Sequence, residues 1–541
     1  MNNSPIRSSL SSQGLLLLRT LIATTATPIP TTNLLAQGGP LTPPASALSG
    51  GNPIPSLKSL EEIDPGTPLN PDDFGATGIV INTSGYYYLT GNVTTVPATE
   101  VAILVNAPNV TIDLRGFTIS SPSGSGVNLA DSAIYDSGAS QRNLTVINGI
   151  IEGAWYAGVG ANDTERVKCV DLKISARRYG IITGPHAHIQ RCQIDGSSSG
   201  LPLDLGGIRV GSFSLIQDCI VAQCAGDGFR AETSSSAINC IAYSNGADTG
   251  DHGFEMGDYS LNQNCLAYGN TGVGIFCGEQ SSVLDCVTID NGSRGINPDS
   301  GTLVARCVAA LNTGDGIDAA DEQGCTIVDC IAYDNDSDGI TVQHASTIRQ
   351  CTAYSNGAGG FRAGRGATIA DCTSYDNTDD GFAVDSYSVM RHNSAYSNGG
   401  EGYDLATGCS AMACIAAENG DNGFSGASGS MFQNCSSRDN GQTGVNNAAD
   451  GFEIAVASTV LQCYANNNEG AGIRATSIRN RIEDNTCYTN DSGGIDLTSA
   501  TNLVIGNYCP SNASFNIDSV GGDIGPFENA STGTNPNANF Q

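Results

Sequence analysis

The chain is poor in lysine, tryptophan and long apolar segments. Only three lysines and one tryptophan occur in 541 residues, and charged residues make up 14% of the chain. Acidic residues outnumber basic residues by 54 to 23, so the net charge is -31. Because nucleic-acid binding depends on neutralising phosphates with Lys and Arg, a nucleic acid is excluded as the expected partner. The absence of any long apolar run excludes a membrane-spanning helix from the prediction.

The first part of the chain differs from the rest in composition. Arg7 precedes the apolar run 14–18 and small residues follow, as in a secretory signal, although Arg19 interrupts the pattern. Residues 1–36 are therefore predicted to be a signal or leader, which favours a secreted or cell-surface protein. Residues 37–77 are predicted to be a disordered linker rich in Pro, Ser and Thr. A disordered leader without an export role is the alternative.

Glycine, cysteine and asparagine recur at a fixed period. Glycine followed by Ile, Phe or Tyr returns mostly every 21 residues between Gly207 and Gly494. Thirteen of the cysteines keep step with it, and Asn393 takes the place of one that is missing. These cysteines are Cys169, Cys192, Cys219, Cys240, Cys265, Cys286, Cys307, Cys330, Cys351, Cys372, Cys414, Cys435 and Cys463. Asparagine follows the column five residues later, at Asn245, Asn270, Asn291, Asn312, Asn335, Asn356, Asn377, Asn398, Asn419, Asn440, Asn468, Asn490 and Asn512.

The length of the repeat determines what it can fold into. A unit this short cannot form a helix pair that buries a common face, but it fits one turn of a coil of three short strands. Each strand then pairs with its equivalent in the next turn, so equivalent side chains stack about 4.8 Å apart in parallel sheets. Asparagine is expected to turn the corner in the left-handed conformation and to hydrogen-bond to the next turn. Cysteine and alanine are expected to fill the narrow interior.

This pattern resembles the right-handed parallel β-helix superfamily with the pectate-lyase-like fold. The segment SGYYYLTGNVTTVPATEVAILVNAPNVTIDLRGFTIS (84–120) is similar to the opening of many secreted bacterial β-helix proteins. The predicted fold is an all-β solenoid of three parallel sheets, with about 14 to 16 rungs of about 21 residues. It spans residues 78–525, with an N-terminal cap at 78–120 and a polar tail at 526–541. Enzymes of the superfamily act on an outer face, so a polysaccharide is the expected partner.

Of the 19 cysteines in the chain, the thirteen in the column are predicted to be buried thiols. An odd number cannot pair completely within one chain. Stacked equivalents would have parallel Cβ vectors, which is poor disulfide geometry, and no zinc-binding spacing is present. The pattern makes no prediction for the six cysteines outside the column, which are Cys224, Cys277, Cys325, Cys409, Cys487 and Cys509.

Outward-facing columns bring six polar residues near one another as catalytic candidates. These are Asp318, Asp321, His344, Arg362, Arg365 and Asp385. Asp321, His344 and Arg365 lie five residues after the repeat glycine on successive rungs and would form one line. An acid, a base with a near-neutral pKa and a fixed cation suit chemistry on an anionic uronate polysaccharide. The alternative is a solvated surface with ordinary ion pairs.

Two further groups are candidates for substrate binding. Basic residues concentrate between Arg166 and Cys192 and would form a positive patch, or else balance nearby acids. An outward tyrosine column would stack on sugar rings, or else cover the sheet by cross-strand packing. The candidates are Lys173, Arg177, Arg178, Tyr333, Tyr354, Tyr375 and Tyr396.

Acidic residues precede the repeat glycine at several rungs and raise the question of a metal. They are Asp227, Asp315, Asp338, Asp380, Glu401 and Asp450. Stacked carboxylates would suit Ca²⁺, whereas the turn chemistry of Asp-Gly explains the pattern without a metal.

The catalytic motifs of polygalacturonases, pectate lyases and alginate epimerases are not found. The predicted function is therefore an extracellular polysaccharide-engaging protein whose activity as a lyase, epimerase or hydrolase stays open. A non-catalytic structural or adhesive repeat protein is the alternative.

Overall fold

The computed structural model describes residues 66–75, 78–94, 101–121, 131–137, 142–153, 155–196, 206–321, 323–441, 449–519, 523–528 and 538–540. Residues Pro65–Gln541 form one compact unit. The predicted leader 1–36 and most of the predicted linker 37–77 lie outside the described residues. No helix among the described residues is long and apolar enough to cross a membrane.

Short parallel strands stacked in three columns build the fold. In a representative turn the strands are Phe361–Ala363, Thr368–Ala370 and Thr373–Tyr375, which define the first, second and third stacks. Each strand pairs in parallel with its equivalent in the turns before and after it. The prediction of an all-β right-handed parallel β-helix is confirmed.

The strand bounds follow the three stacks. The first stack contains Ile79–Ile81, Ile103–Val105, Ile134–Asp136, Ala157–Ala161, Tyr179–Thr183, Ile208–Val210, Phe229–Ala231, Phe254–Met256, Ile275–Cys277, Ile296–Pro298, Ile317–Ala319, Ile340–Val342, Phe361–Ala363, Phe382–Val384, Tyr403–Leu405, Phe424–Gly426, Phe452–Ile454, Ala471–Ala475, Gly493–Leu497 and Phe515–Ser519. The second contains Thr67–Leu69, Gly85–Leu89, Val110–Asp113, His188–Gln190, Leu215–Gln217, Ser236–Ile238, Leu261–Gln263, Ser282–Leu284, Leu303–Ala305, Thr326–Val328, Thr347–Arg349, Thr368–Ala370, Val389–Arg391, Ser410–Met412, Met431–Gln433, Thr459–Leu461, Arg481–Glu483, Leu503–Ile505 and Asp523–Ile524. The third contains Val93–Thr94, Thr118–Ser121, Gln193–Asp195, Ile220–Ala222, Ile241–Tyr243, Leu266–Tyr268, Val287–Ile289, Val308–Ala310, Ile331–Tyr333, Thr352–Tyr354, Thr373–Tyr375, Ser394–Tyr396, Ile415–Ala417, Ser436–Arg438, Tyr464–Asn466 and Thr486–Tyr488. Leu144–Gly153 and Lys168–Ser175 run through the second and third stacks, Phe527–Glu528 pairs with Asn539–Phe540, and a short 3-10 helix covers Pro71–Phe74.

The coil is longer than predicted, with about 19 turns. The prediction of 14 to 16 rungs relied on the glycine-aromatic signature that begins at Gly207, whereas five first-stack strands precede this residue without it. The coil also includes residues before the predicted boundary at residue 78. Thr67–Leu69 pairs with Gly85–Leu89, and the side chains of Leu69 and Phe74 are buried. These apolar side chains belong to the core and place this segment in the solenoid instead of the linker.

Aromatic rings and glycines explain the repeat signature in the first stack. Five consecutive inward side chains stack with ring centroids 4.6 to 4.9 Å apart, at Phe361, Phe382, Tyr403, Phe424 and Phe452. The glycine before each ring lies against the next turn. A Cβ on Gly381 would stand 2.7 Å from the carbonyl oxygen of Gly402, so a larger residue would force the turns apart.

A buried asparagine ladder follows the third stack without interruption from Asn245 to Asn512. Each Nδ2 donates to the Oδ1 of the next asparagine at 2.8 to 3.0 Å. The expectation that these asparagines adopt the left-handed conformation is wrong. Positive φ belongs to the preceding residue, such as Asp290 (φ 56°) before Asn291. One left-handed residue turns the corner, and the next side chain therefore points inward.

The C-terminal tail covers the last turn. Asn539 is buried, and its Oδ1 accepts a 3.1 Å hydrogen bond from Nδ2 of Asn507. Its Nδ2 donates to the carbonyl oxygen of Val504 at 2.9 Å. A residue from beyond the repeat therefore terminates a column of polar groups that would otherwise be left open.

All 19 cysteines are free thiols and buried, including the six outside the column. The column cysteines lie at the corner between the second and third stacks, where each thiol contacts backbone carbonyls. Sγ of Cys351 is 3.1 Å from the oxygen of Arg349. Burial raises the pKa of the Cys169 thiol well above its usual value. Asn393 fills the missing place and accepts a 2.9 Å hydrogen bond from the Cys372 amide.

We expect opposite effects on stability from two buried asparagines. Asn291→Ala removes four side-chain hydrogen bonds and leaves the backbone amide of Asn270 unpaired, so it should lower the free energy of unfolding by about 3 to 5 kcal/mol.

Asn262 is buried, and neither of its side-chain polar atoms has a partner among the described residues. Asn262→Val should therefore raise the free energy of unfolding by about 1 to 2 kcal/mol. Denaturant unfolding measures both, and a destabilised Asn262→Val would show that this amide has a partner, such as an internal water.

The thiols should not react with a soluble thiol reagent until the coil unfolds. Ellman's reagent is expected to titrate less than about one thiol in the native chain, because access limits thiol reactivity. In denaturant without reductant it should titrate all 19. A markedly lower total in denaturant would reveal disulfides.

Candidate functional site

Carboxylates on the outer face of the first stack tie each turn to the next. Oδ1 of Asp338 accepts a 2.7 Å hydrogen bond from the Gly359 amide, and its Oδ2 accepts one of 2.8 Å from Nε of Arg362. Asp450 repeats the arrangement, since its Oδ1 accepts from the Ala471 amide at 2.6 Å and its Oδ2 lies 3.1 Å from Arg474. One oxygen thus satisfies the backbone and the other a donor on the following turn.

The arrangement changes at Asp380. Its Oδ1 accepts from the Glu401 amide at 2.8 Å, as the pattern requires. The position that carries Arg362 two turns earlier is occupied here by Asp404, through the register of Arg362, Ala383 and Asp404. A third carboxyl group, that of Glu401, belongs to the same turn as Asp404. The fold therefore brings three acids together where other turns place an acid and a donor.

This environment raises the pKa of each of the three carboxyl groups. Burial, with the charges of Asp404 and Asp380 beside it, raises the pKa of Glu401 to about 8. Burial and the charges of Asp379 and Asp404 raise the pKa of Asp380 to about 6 despite its backbone hydrogen bond. Burial also raises the pKa of Asp404, which Arg362 partly offsets. The cluster therefore holds protons at a pH where exposed carboxyl groups have lost them.

A groove of about 300 Å³ runs over this part of the first stack. Ala383 lies between Arg362 and Asp404, and its small side chain lowers the floor between two larger neighbours. The groove is lined by Ala320, Thr341, Val342, Gln343, Arg362, Ala363, Gly364, Ala383, Val384, Asp385, Asp404 and Ala406. Its polar residues come from the middle of the strands and from the turn that follows them.

Two of the six predicted catalytic residues line this groove, Arg362 and Asp385. Asp318 lies nearby but is buried and forms an ion pair with Arg294. His344 and Arg365 do stand on successive turns, but outside the groove and exposed to solvent. Nδ1 of His344 accepts a 3.1 Å hydrogen bond from the Arg365 amide, so this lone pair already serves the backbone.

Like His344, the other two members of the predicted line, Arg365 and Asp321, lie outside the groove. The Arg365 guanidinium lies over the Tyr387 ring, 5.0 Å from its centroid. Asp321 is exposed on the longer turn before His344 and is not among the groove-lining residues. The geometry therefore separates Asp321, His344 and Arg365 from Arg362 and Asp385.

The four predicted tyrosines form one parallel stack on the outer face of the third stack. Successive ring centroids from Tyr333 to Tyr396 are 4.8 to 5.0 Å apart, with interplanar angles of 1° to 3°. Both faces of Tyr354 and Tyr375 are thus covered by neighbouring rings. The ring faces of Tyr354 and Tyr375 therefore cannot stack on a sugar. Only the edges and the hydroxyl groups of these two rings reach solvent.

The predicted basic candidates lie on the third stack and at the corner that follows it. Lys173 is exposed on the third stack, where it pairs in register with Gln193. Arg177 and Arg178 follow at the next corner and border a cavity of about 10 Å³, which is too small for a sugar. The Arg178 guanidinium lies 5.4 Å from the centroid of the Tyr156 ring. Arg191 is paired with Asp171 at 2.7 Å.

The acids before the repeat glycine do not fit a calcium site. Their oxygens accept backbone amides of the next turn and, at Asp338 and Asp450, contact arginine as well. Among the residues that the structure describes, no group of three or more His, Cys, Asp or Glu side chains is arranged to hold a metal ion. Inter-turn hydrogen bonding accounts for these residues.

Comparison with known proteins defines the class. The model of the right-handed β-helix region matches residues 78–260, 257–366 and 323–461, and the chain therefore belongs to the right-handed β-helix family. No curated protein matches the sequence.

Three solved structures illustrate how remote the individual relatives are. The A-module of a mannuronan C-5 epimerase from Azotobacter vinelandii is 12% identical over 84% of this chain and 98% of its own, with a TM-score of 0.19. A periplasmic alginate epimerase is 10% identical over 71% and 77%, with a TM-score of 0.26. The Dettilon tailspike protein is 12% identical over 84% and 69%, with a TM-score of 0.21. At such values no activity can be transferred to this chain.

The sequence-based candidates omitted Asp404 and its neighbours Asp380 and Glu401. Asp380 and Glu401 were visible only as acids before the repeat glycine, and Asp404 only as a member of an outward column. The available signal was the order Arg362, Ala383, Asp404 down that column, in which a cation is replaced by an acid two turns later.

The raised carboxyl pKa values predict that stability falls as the pH rises. Free Asp and Glu ionise near pH 4, whereas the pKa is about 6 at Asp380, about 7 at Asp450 and about 8 at Glu401. Between about pH 4 and pH 8 the folded chain therefore holds more protons than the unfolded chain, and stability decreases with pH. The thermal midpoint should be higher at pH 5 than at pH 8.

Glu401→Gln should reduce this pH dependence, because the amide oxygen can still accept from Asn422 without ionising. Exposed Glu418 provides the matched control, Glu418→Gln, which should keep the wild-type slope. A midpoint that rises from pH 5 to pH 8 would contradict the assignment.

Proposed function

We propose that this protein binds polysaccharide in the first-stack groove and hydrolyses glycosidic bonds there. The observation that carries the proposal is a pair of carboxyl groups, Asp385 and Asp404, that line one groove from adjacent turns. Both side chains are exposed to solvent, and partial desolvation raises the pKa of Asp404. Two carboxyl groups, one of which has a raised pKa, are the usual equipment for glycoside hydrolysis.

The two residues take different roles. Asp404 retains its proton to higher pH than a free aspartic acid and donates it to the glycosidic oxygen as the C1–O bond breaks. Asp385 removes a proton from the water that attacks C1. The two residues lie one turn and two positions apart, so their Cα atoms are about 8 Å apart. The proposed roles place a water molecule between the two carboxyl groups, as in inverting glycosidases.

Neighbouring side chains support these roles. Arg362 lies on the far side of Ala383 from Asp404, and its charge lowers the pKa of Asp404 in part. The neighbouring charge of Asp385 raises the pKa of Asp404 in addition to desolvation. The predicted export signal in residues 1–36 would bring such an activity to extracellular glycans.

A structural role without catalysis is the second candidate. The unbroken asparagine ladder from Asn245 to Asn512 favours it, because continuous buried hydrogen bonding produces a stiff rod whatever the outer face does. This candidate predicts neither glycan binding nor turnover.

The test compares hydrolysis by the full chain and its variants on a panel of neutral, amino and uronate polysaccharides. Reducing ends report hydrolysis, and ultraviolet absorbance of unsaturated products reports a lyase. Asp404→Asn and Asp385→Asn should each lower the rate at least about 100-fold, since each removes one proton-transfer group. Asp329→Asn, an exposed change at the corner between the second and third stacks, should leave the rate unaltered.

Each other outcome has a definite meaning. Unsaturated products would show that the reaction is elimination and not hydrolysis. His344 and Arg365 would then again be candidates for the catalytic residues. An active Asp404→Asn variant would remove Asp404 from the mechanism. If the protein neither binds nor degrades any polysaccharide of the panel, the structural role without catalysis is the candidate that stands.

A further inference from the structure

Each polar donor side chain that lines the groove makes a hydrogen bond within the protein. Oγ1 of Thr341 donates to Oδ2 of Asp315 at 2.9 Å. Nε2 of Gln343 donates to the carbonyl oxygen of Ala320 at 2.7 Å. Nε of Arg362 donates to Oδ2 of Asp338 at 2.8 Å, and this acid also balances its charge. The cation of the groove is therefore already paired with a carboxylate.

The acceptors in the groove are in the opposite situation. The carboxyl groups of Asp385 and Asp404 line it, and no hydrogen-bond donor among the described residues contacts their oxygens. Elsewhere the equivalent position supplies a donor to the acid one turn earlier, as Arg362 and Arg474 do. At Asp404 the groove thus presents acceptors where the turns of Arg362 and Arg474 present a cation.

Charge around the groove strengthens this asymmetry. Arg362 is the one cation among the lining residues, and Asp338 is its partner. Asp385 and Asp404 are the other ionisable residues that line the groove, within a chain whose net charge is -31. A sugar carboxylate entering the groove would meet like charge and find no unpaired cation, whereas sugar hydroxyl groups can donate to the open acceptors.

We infer that the groove takes a neutral polysaccharide, whose hydroxyl groups donate to Asp385 and Asp404, and that it rejects uronate chains. The inference rests on the proposed function, because it names the substrate class of the same site. It also reverses the expectation that the acid, base and fixed cation on this face suit an anionic uronate polymer. The pairing of Arg362 with Asp338 is the reason.

The test measures binding of defined oligosaccharides to the full chain by titration calorimetry. The probes are neutral hexose oligomers, oligogalacturonate and an amino-hexose oligomer of equal length. Wild-type protein should bind a neutral oligomer at least tenfold more tightly than the uronate. Its affinity should change little with salt, because no charge is neutralised on binding.

A charge reversal at Asp404 provides the sharper arm of the experiment. Asp404→Arg restores the residue type that the repeat carries at Arg362 and Arg474, so the turn has a native precedent for it. It should weaken neutral binding at least tenfold and raise uronate affinity at least tenfold. Asp329→Arg changes the net charge equally at an exposed corner between the second and third stacks and should do neither.

The outcomes separate this inference from the proposed function. Tighter binding of the uronate or the amino-hexose by wild-type protein would overturn the neutral substrate class and leave glycan binding intact. Unchanged preference in Asp404→Arg would remove the groove as the determinant. Binding of none of the probes by a folded chain would overturn both proposals together.

Discussion

Every turn of this coil must hydrogen-bond to the next at one spacing, over three strands and at the corners between them. Parallel strands fix that spacing at about 4.8 Å. Any side chain that points inward must therefore pack against the equivalent side chain of the next turn at that distance. Planar rings do so by stacking, as from Phe361 to Phe452, and amides do so by forming the ladder that contains Asn291. Small thiols do so by contacting backbone carbonyls. The small set of residue types in the interior is a direct consequence of this constraint.

The outer face is freer, yet the same spacing organises its polar groups. An acid before the repeat glycine satisfies the backbone amide of the next turn with one oxygen, which leaves the second oxygen for whatever side chain the following turn presents. Where that side chain is Arg362 or Arg474, it forms an ion pair with the acid. Where it is Asp404, three carboxyl groups meet and the pKa of each rises. The residue type at one column position thus decides whether the acid of the preceding turn meets a cation or another acid.

The groove arises from the same principle. Long side chains on successive turns cover the first stack, and a small one leaves a depression one rung wide, as Ala383 does between Arg362 and Asp404. Because donors such as Thr341 and Gln343 are bound to the neighbouring turn, the depression is lined by unsatisfied acceptors. Inter-turn hydrogen bonding therefore shapes the chemistry of the site as well as the stability of the coil.

The sequence alone determined the architecture, because a repeat constrains every inward position in the same way. The period predicted the parallel coil, the buried thiols and the ladder through Asn291, and the outward column predicted the aligned tyrosines from Tyr333. It underestimated the number of turns, since the early turns before Gly207 lack the signature, and it assigned the left-handed residue one position too late. Only the tertiary structure decided which outward side chains meet. Whether Arg362 is open to a ligand depends on Asp338, which lies 24 positions earlier in the chain, and no repeat pattern fixes the pairing of residues that face solvent.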